Sequence, residues 1–132
     1  MTNIPSEILE LLKAQTTTKV LVTASKDAKP HAIVGGSIAA PAADTMVVGE
    51  ILMKTTAKNL SENPKAAFLV SSGMASYVIE CTAKARLDSG PELDGMNKQL
   101  AAIGLKAAAV WVFKVEAVFD QGASPKAGTK LA

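Results

Sequence analysis

TMVVGEILMKTTAKNLSENPKAAFLV, residues 45–70, decides how this chain is read. TMVVGEI is apolar and β-branched, the pattern of a strand. KTTAKNLSENP then has helical character and ends at Pro64, where a helix cannot easily continue, so it holds about two turns at most. AAFLVSS returns to a strand. The unit is strand, short helix, strand.

Working outward, Pro5, Ser6 and Glu7 suit a first helical turn, and Ile8, Leu9, Leu11 and Leu12 recur on one face behind them. KVLVTAS reads as a strand, Lys26 to Lys29 as a turn, and HAIVGGSIAA as a second strand running back in a hairpin. Pro41 to Asp44 turns the chain into TMVVGEI. Downstream, Ser72 and Gly73 offer a turn before a long alternation. Tyr77, Ile79, Cys81, Ala83, Ala85 and Leu87 fall on one face, and Glu80, Thr82, Lys84 and Arg86 on the other, as in a half-exposed antiparallel strand. From Gly90 to Gly104, Leu93, Met96, Leu100 and Ile103 keep helical spacing, with Asp88 and Ser89 in front as caps. AAVWVFKVEAVF is the last strand, and its start is apolar on both faces, as expected if one side meets the core and the other a partner subunit. The tail GASPKAGTKLA has no periodicity. This order contains no βαβ alternation and argues for a mainly β, closed or nearly closed antiparallel barrel with short helices.

The 132 residues are the size of one domain, so a single site is expected. Hydrophobic residues at 48% are enough to close a core, but aromatics are only 4%, which leaves few rings for base stacking. A net charge of +2 is too small to form the stripe of a general nucleic-acid binder, so no nucleic-acid partner is expected. No apolar run approaches the roughly 20 residues that span a bilayer, so no membrane association is expected. Cys81 is the only cysteine, and MTNIPSEILELLKAQ lacks the basic flank and apolar run of a secretory signal. The expected location is the reducing cytoplasm.

Lys54-Thr55-Thr56 follows a strand and opens a helix. Unpaired N–H groups, a partial positive charge, an ammonium and two hydroxyls would together cradle a phosphate there, with Lys58 and Asn59 one turn on as further donors. The plainer alternative is an ordinary cap beside a solvated lysine. Gly35-Gly36 and Gly49 interrupt strands, either to let a flat ligand approach bare main chain or as a bulge or barrel corner. His31 is the sole histidine, so no metal site is expected, and it reads as a turn or strand-end residue. Cys81 reads as a small buried hydrophobe, and Ser37 and Ser71 have no evident base. Trp111 and Phe113 suit core or interface better than a ligand cover.

LVTAS, KPHAIV, residues 45–70 and VWVFKVEAVFDQGASPKAGTKL, in that order, resemble the pyridoxamine 5′-phosphate oxidase-like family, in particular its small FMN-binding split-barrel members. Lys54-Thr55, Asn59-Leu60 and Asn63-Pro64 are the most specific part of the likeness. The resemblance implies one FMN-binding split-barrel domain over 1–132, six-stranded and homodimeric, with FMN in a groove near the interface. It implies that Lys54 and Thr55 hold the phosphate, and that the ring edge runs along Val34, Gly35, Gly36 and Ser37 and along Val48, Gly49 and Glu50. The tail, Pro125-Lys126-Ala127-Gly128-Thr129-Lys130, would pack near the flavin, of its own or the other subunit, bringing Lys126 to the site; a loose terminus is the plainer alternative. The function so implied is that of a flavin-dependent oxidoreductase, flavin reductase or electron carrier, with a small-molecule substrate or NAD(P)H as reactant. The alternative is a non-enzymatic module that binds or senses FMN or another phosphorylated ligand. No catalytic residue is required of the chain, because the ring itself carries the electrons. The basic substrate-binding residues of true pyridoxamine phosphate oxidases are missing, so that activity is not expected.

Overall fold

The computed structural model describes residues 2–132. The elements are α1 (Ser6–Lys13), β1 (Thr18–Ala24), β2 (Pro30–Val34), β3 (Ala39–Ala42), β4 (Thr45–Gly49), α2 (Lys54–Glu62), β5 (Lys65–Ser72), β6 (Ala75–Leu87), α3 (Pro91–Leu100) and β7 (Val110–Asp120). A 3-10 turn, Ala101–Ile103, extends α3. The strands form a seven-stranded sheet in the order β2-β1-β5-β6-β7-β4-β3, every neighbouring pair antiparallel.

HAIVGGSIAA is not the single strand expected. Its first half is β2, paired to β1, and its second half is β3, paired to β4, at the opposite edge of the sheet. Only residues 35–38 join them, a link that can reach roughly 18 Å from Val34 to Ala39. Laid flat, strands about 4.8 Å apart would put those edges roughly 29 Å apart. The sheet therefore has to curl until its edges nearly meet. The result is a split barrel: β2 and β3 face each other without pairing.

Leu21, Phe68, Ile79 and Val118 pair in register across β1, β5, β6 and β7, and all four are fully buried. Phe113 meets Phe68 edge to face at 5.0 Å between ring centres. α1 closes one end by burying Ile8 and Leu12 in the same core. The alternation read along β6 holds as far as Ala83. Lys84 is then an extra residue, a bulge between the pairs Ala83 to Phe113 and Ala85 to Val112, so Ala85 and Leu87 leave the face of Ile79 and Cys81.

The doubly apolar start of β7 is also explained differently from expectation. Leu93 and Leu100 of α3, with Ala107, cover Val110, so this chain's own helix meets the second face. Asn97 fastens that cover by donating to the Ala107 carbonyl at 3.2 Å and accepting from its N–H at 2.8 Å. The cap is Gly90 with Pro91 behind it, not Asp88 or Ser89.

Leu52 stands between β4 and α2 with φ 52° and its side chain wholly exposed, at 101%. A bulky residue in the left-handed region is strained by roughly 1–2 kcal/mol. Leu52→Gly removes that strain and no buried contact, while adding about 0.5–1 kcal/mol of unfolded-state entropy. The expected net effect is a stabilisation of about 0 to 1.5 kcal/mol, checked by urea denaturation with the slope of the transition unchanged.

Candidate functional site

Two depressions lie along β2. The first is polar, about 260 Å³, and lined by Ser25, Lys29, Pro30, His31, Thr55 and Asn59. It sits against the N-terminal turn of α2, whose Ncap residue Met53 provides no side-chain bond to the free N–H groups. Asn59 is locked in place by donating to the Thr23 hydroxyl at 3.1 Å, which ties α2 to β1 inside the barrel end. Ser25 shapes the β1–β2 turn, accepting from the Lys29 N–H at 3.1 Å. A lysine, a histidine, a hydroxyl and a helix N-terminus thus converge on one small space, the donor set of an anion site.

The second depression is apolar, about 240 Å³, and opens at the split between the sheet edges. Ile33, Val34, Gly35, Gly36 and Ser37 form one wall and Val48 and Gly49 the other, with Ile51, Met53, Leu100, Ile103 and Leu105 completing it. The fold therefore gathers six of the residues expected along a ring edge. His31 lines the polar space and Ile33 the apolar one, alternate residues of one strand roughly 7 Å apart along β2.

Of the other expected residues, Thr55 and Asn59 line the polar recess, and the rest line neither space of the same chain. Thr55 lines the polar recess, but Lys54, the first residue of α2, is exposed and outside the lining. Thr56 is completely buried with its hydroxyl unpaired, so only one of the two expected hydroxyls is available. Lys58 is also exposed beyond the lining. Lys126 is exposed in a turn past Asp120, at the end of β7 remote from the groove wall at Val110 and Gly49. The tail then folds back on its own strand, with Asp120 donating to Thr129 at 2.9 Å and Leu131 to Val118 at 2.7 Å.

Gly49 does not present bare main chain. A Cβ there would run into Met96 Sδ and crowd Ala107 and Ser37. Its N–H donates to Ser37 Oγ at 3.1 Å, and that hydroxyl donates to its carbonyl at 3.4 Å. The glycine exists so that α3 and Ser37 can pack against β4. Gly35 is likewise engaged, its N–H bonded to the Lys19 carbonyl and its face pressed by Ile38, whereas the space beside Gly36 is open.

Glu50 turns away from the groove. Arg86 donates to both carboxylate oxygens, at 3.0 and 2.9 Å, and Trp111 Nε1 donates to one at 2.8 Å. The Arg86 bonds hold the carboxyl below its ordinary value of 4.5, against the opposing effect of burial and helped by Trp111. Because the folded value is depressed, this stabilisation is complete above the ordinary carboxylate range and fades as pH falls through it. The melting-temperature advantage of the wild type over Glu50→Gln should therefore be greatest at neutral pH and shrink below about pH 4.5. Thermal unfolding of both proteins across that range checks it.

Cys81 is buried on β6, and burial, with Glu116 and Glu80 nearby, pushes its thiol up to about 12. It is not a nucleophile at neutral pH. Among the described residues no group of His, Cys, Asp or Glu could hold a metal ion, and no helix is long and apolar enough to cross a membrane.

Lys29 and His31 are what sequence reasoning missed. The signal was the hairpin KPHAIV, which sets both residues opposite α2 once β1 and β2 pair.

Comparison with known proteins places this architecture. Residues 4–122 match the family model described as pyridoxamine 5′-phosphate oxidase. Among solved structures, HupZ of Group A Streptococcus superposes with a TM-score of 0.81 at 20% identity, over 95% of this chain and 99% of that one. An FMN-binding protein of Syntrophomonas wolfei gives 0.75 at 19% identity, over 90% and 89%. The heme storage protein HutZ of Vibrio cholerae gives 0.63 at 14% identity, over 92% and 97%. No curated protein matches the chain.

Proposed function

This chain belongs to the pyridoxamine 5′-phosphate oxidase family, and from that premise we propose that it binds FMN, with the phosphate in the polar recess and the ring in the apolar groove. The observation that carries this is the pairing of the two spaces along β2. One offers Lys29, His31, Thr55 and the N-terminal turn of α2 to a dianion, and the other offers aliphatic walls to a flat, uncharged ring. When bound, the flavin supplies the electron or hydride transfer.

The chain's own part is to bind, orient and keep water away. Among the described residues no titratable side chain lines the groove, so no acid or base comes from its walls. This suits a flavin reductase, a flavin-dependent oxidoreductase or an electron carrier. A porphyrin, the ligand named for HutZ, would find no histidine in the groove, because His31 lines the polar recess instead.

A second copy of this chain is the partner we infer. Val34, Val20, Leu69, Val78 and Phe119 pair in register across five strands on the outward face, forming an apolar row that the core does not cover. Sedimentation of the purified protein should give the mass of a dimer.

The deciding experiment is an absorption spectrum of the purified protein before and after FMN is added and the excess removed. Retained flavin bands support the reading. Protein that stays colourless with FMN, or that carries a porphyrin band instead, refutes it. Anaerobic mixing of the loaded protein with NADH or NADPH then separates an enzyme, which bleaches and turns over with an added acceptor, from a carrier or sensor, which does not.

A further inference from the structure

We propose that the reactant meeting the ring in this groove is an uncharged, apolar molecule rather than a phosphorylated or carboxylated one. The inference rests on the groove being the ring site. Ser37 is the only polar side chain in its lining, and its hydroxyl is already engaged by both main-chain groups of Gly49. The nearest carboxylate, Glu50, is held by Arg86 and Trp111 and is not part of the lining. An anionic reactant entering this space would lose water and gain no charged side-chain partner from the lining, which opposes its binding.

The rim carries the same message. Of the large apolar side chains that stand exposed, Ile103 at 69% and Leu105 at 42% line this one groove away from the row assigned to the second copy, and Leu52 lies between two more of its lining residues, Ile51 and Met53. Exposed apolar side chains scattered singly need no explanation, but a cluster about one opening marks a surface that is covered in use. Lys29 and His31 line the recess assigned to the phosphate, whereas no charged side chain is in the groove lining among the described residues. Charge and apolar surface are thus segregated along β2, and a second anion has no place at the ring end. A nicotinamide dinucleotide would have to leave its phosphates outside.

The test is equilibrium dialysis of the FMN-loaded protein against 2-naphthamide and 2-naphthoate, which match in size and differ in charge. The amide should bind at least about 10-fold tighter. Ile103→Lys, at an exposed rim position that leaves the core intact, should swing the ratio toward the naphthoate by a similar factor. Equal binding, preference for the naphthoate, no binding of the amide, or a ratio indifferent to Ile103→Lys would each overturn the inference. Failure of the protein to take up FMN sinks the flavin reading instead. The same ratio measured on the protein without flavin then still decides whether the groove selects neutral molecules.

Discussion

Lys29→Ala is expected to weaken FMN binding about 10- to 100-fold and to leave riboflavin binding unchanged. Lys29 lines the recess beside Thr55 and His31, so its ammonium is the cation best placed for a dianionic headgroup. A hydrogen bond to a charged group contributes roughly 1.5–3 kcal/mol, which sets the size of the loss. Riboflavin lacks the phosphate and should not register the change. Lys54→Ala, on the same titration, separates two maps of the site. If Lys54, exposed at the start of α2 and outside the recess, acts only through solvent, its loss should cost no more than a few-fold. A larger loss for Lys54→Ala than for Lys29→Ala would return the phosphate to the position first read from sequence. Equal losses for FMN and riboflavin in both variants would remove the phosphate from this recess altogether. Fluorescence titration of each variant with each flavin reads all of these outcomes.

The difference between those two lysines shows what a one-dimensional reading reaches and where it stops. Lys54-Thr55 announced itself because strand, cation, hydroxyl and helix are consecutive, and consecutive features are visible in sequence. Lys29 and His31 belong to the recess only because β1 and β2 pair antiparallel and α2 folds across their end, anchored by Asn59 on Thr23 over a separation of 36 residues. Local spacing carries no trace of that contact. Strand and helix identities were legible because period-2 and period-3.6 patterns are set by the chain itself. The break at Gly35-Gly36 was seen, but its consequence was not. Whether two glycines bend one strand or carry the chain to the other edge of the sheet depends on which strand each half pairs with. The apolar second face of β7 posed the same difficulty. Apolarity records that something covers Val110, and nothing in the local pattern distinguishes a second subunit from the α3 that does so.

Gly49 is where those two kinds of information meet, and it supports the second large prediction. Gly49→Val should destabilise the protein by about 1–3 kcal/mol, the usual range for overpacking a fitted site. The branched side chain would enter space held by Met96 Sδ, Ala107 Cβ and Ser37 Oγ. Met96 is flexible and can withdraw, but Ala107 is fixed to α3 through both bonds of Asn97 and cannot move without carrying that element away from β4. Leu100, Ile103 and Leu105 lie on the same displaced stretch and form part of the groove, so the ring site should loosen with it. Urea denaturation should report the lower stability, and FMN and riboflavin should lose affinity together, because the damage lies at the ring end they share. Gly36→Val is the matched control, since the space beside Gly36 is open and no comparable overlap arises. If Gly49→Val proves as stable as the wild type, α3 is not packed against β4 as described. If it is destabilised yet binds both flavins normally, the groove is not the ring site.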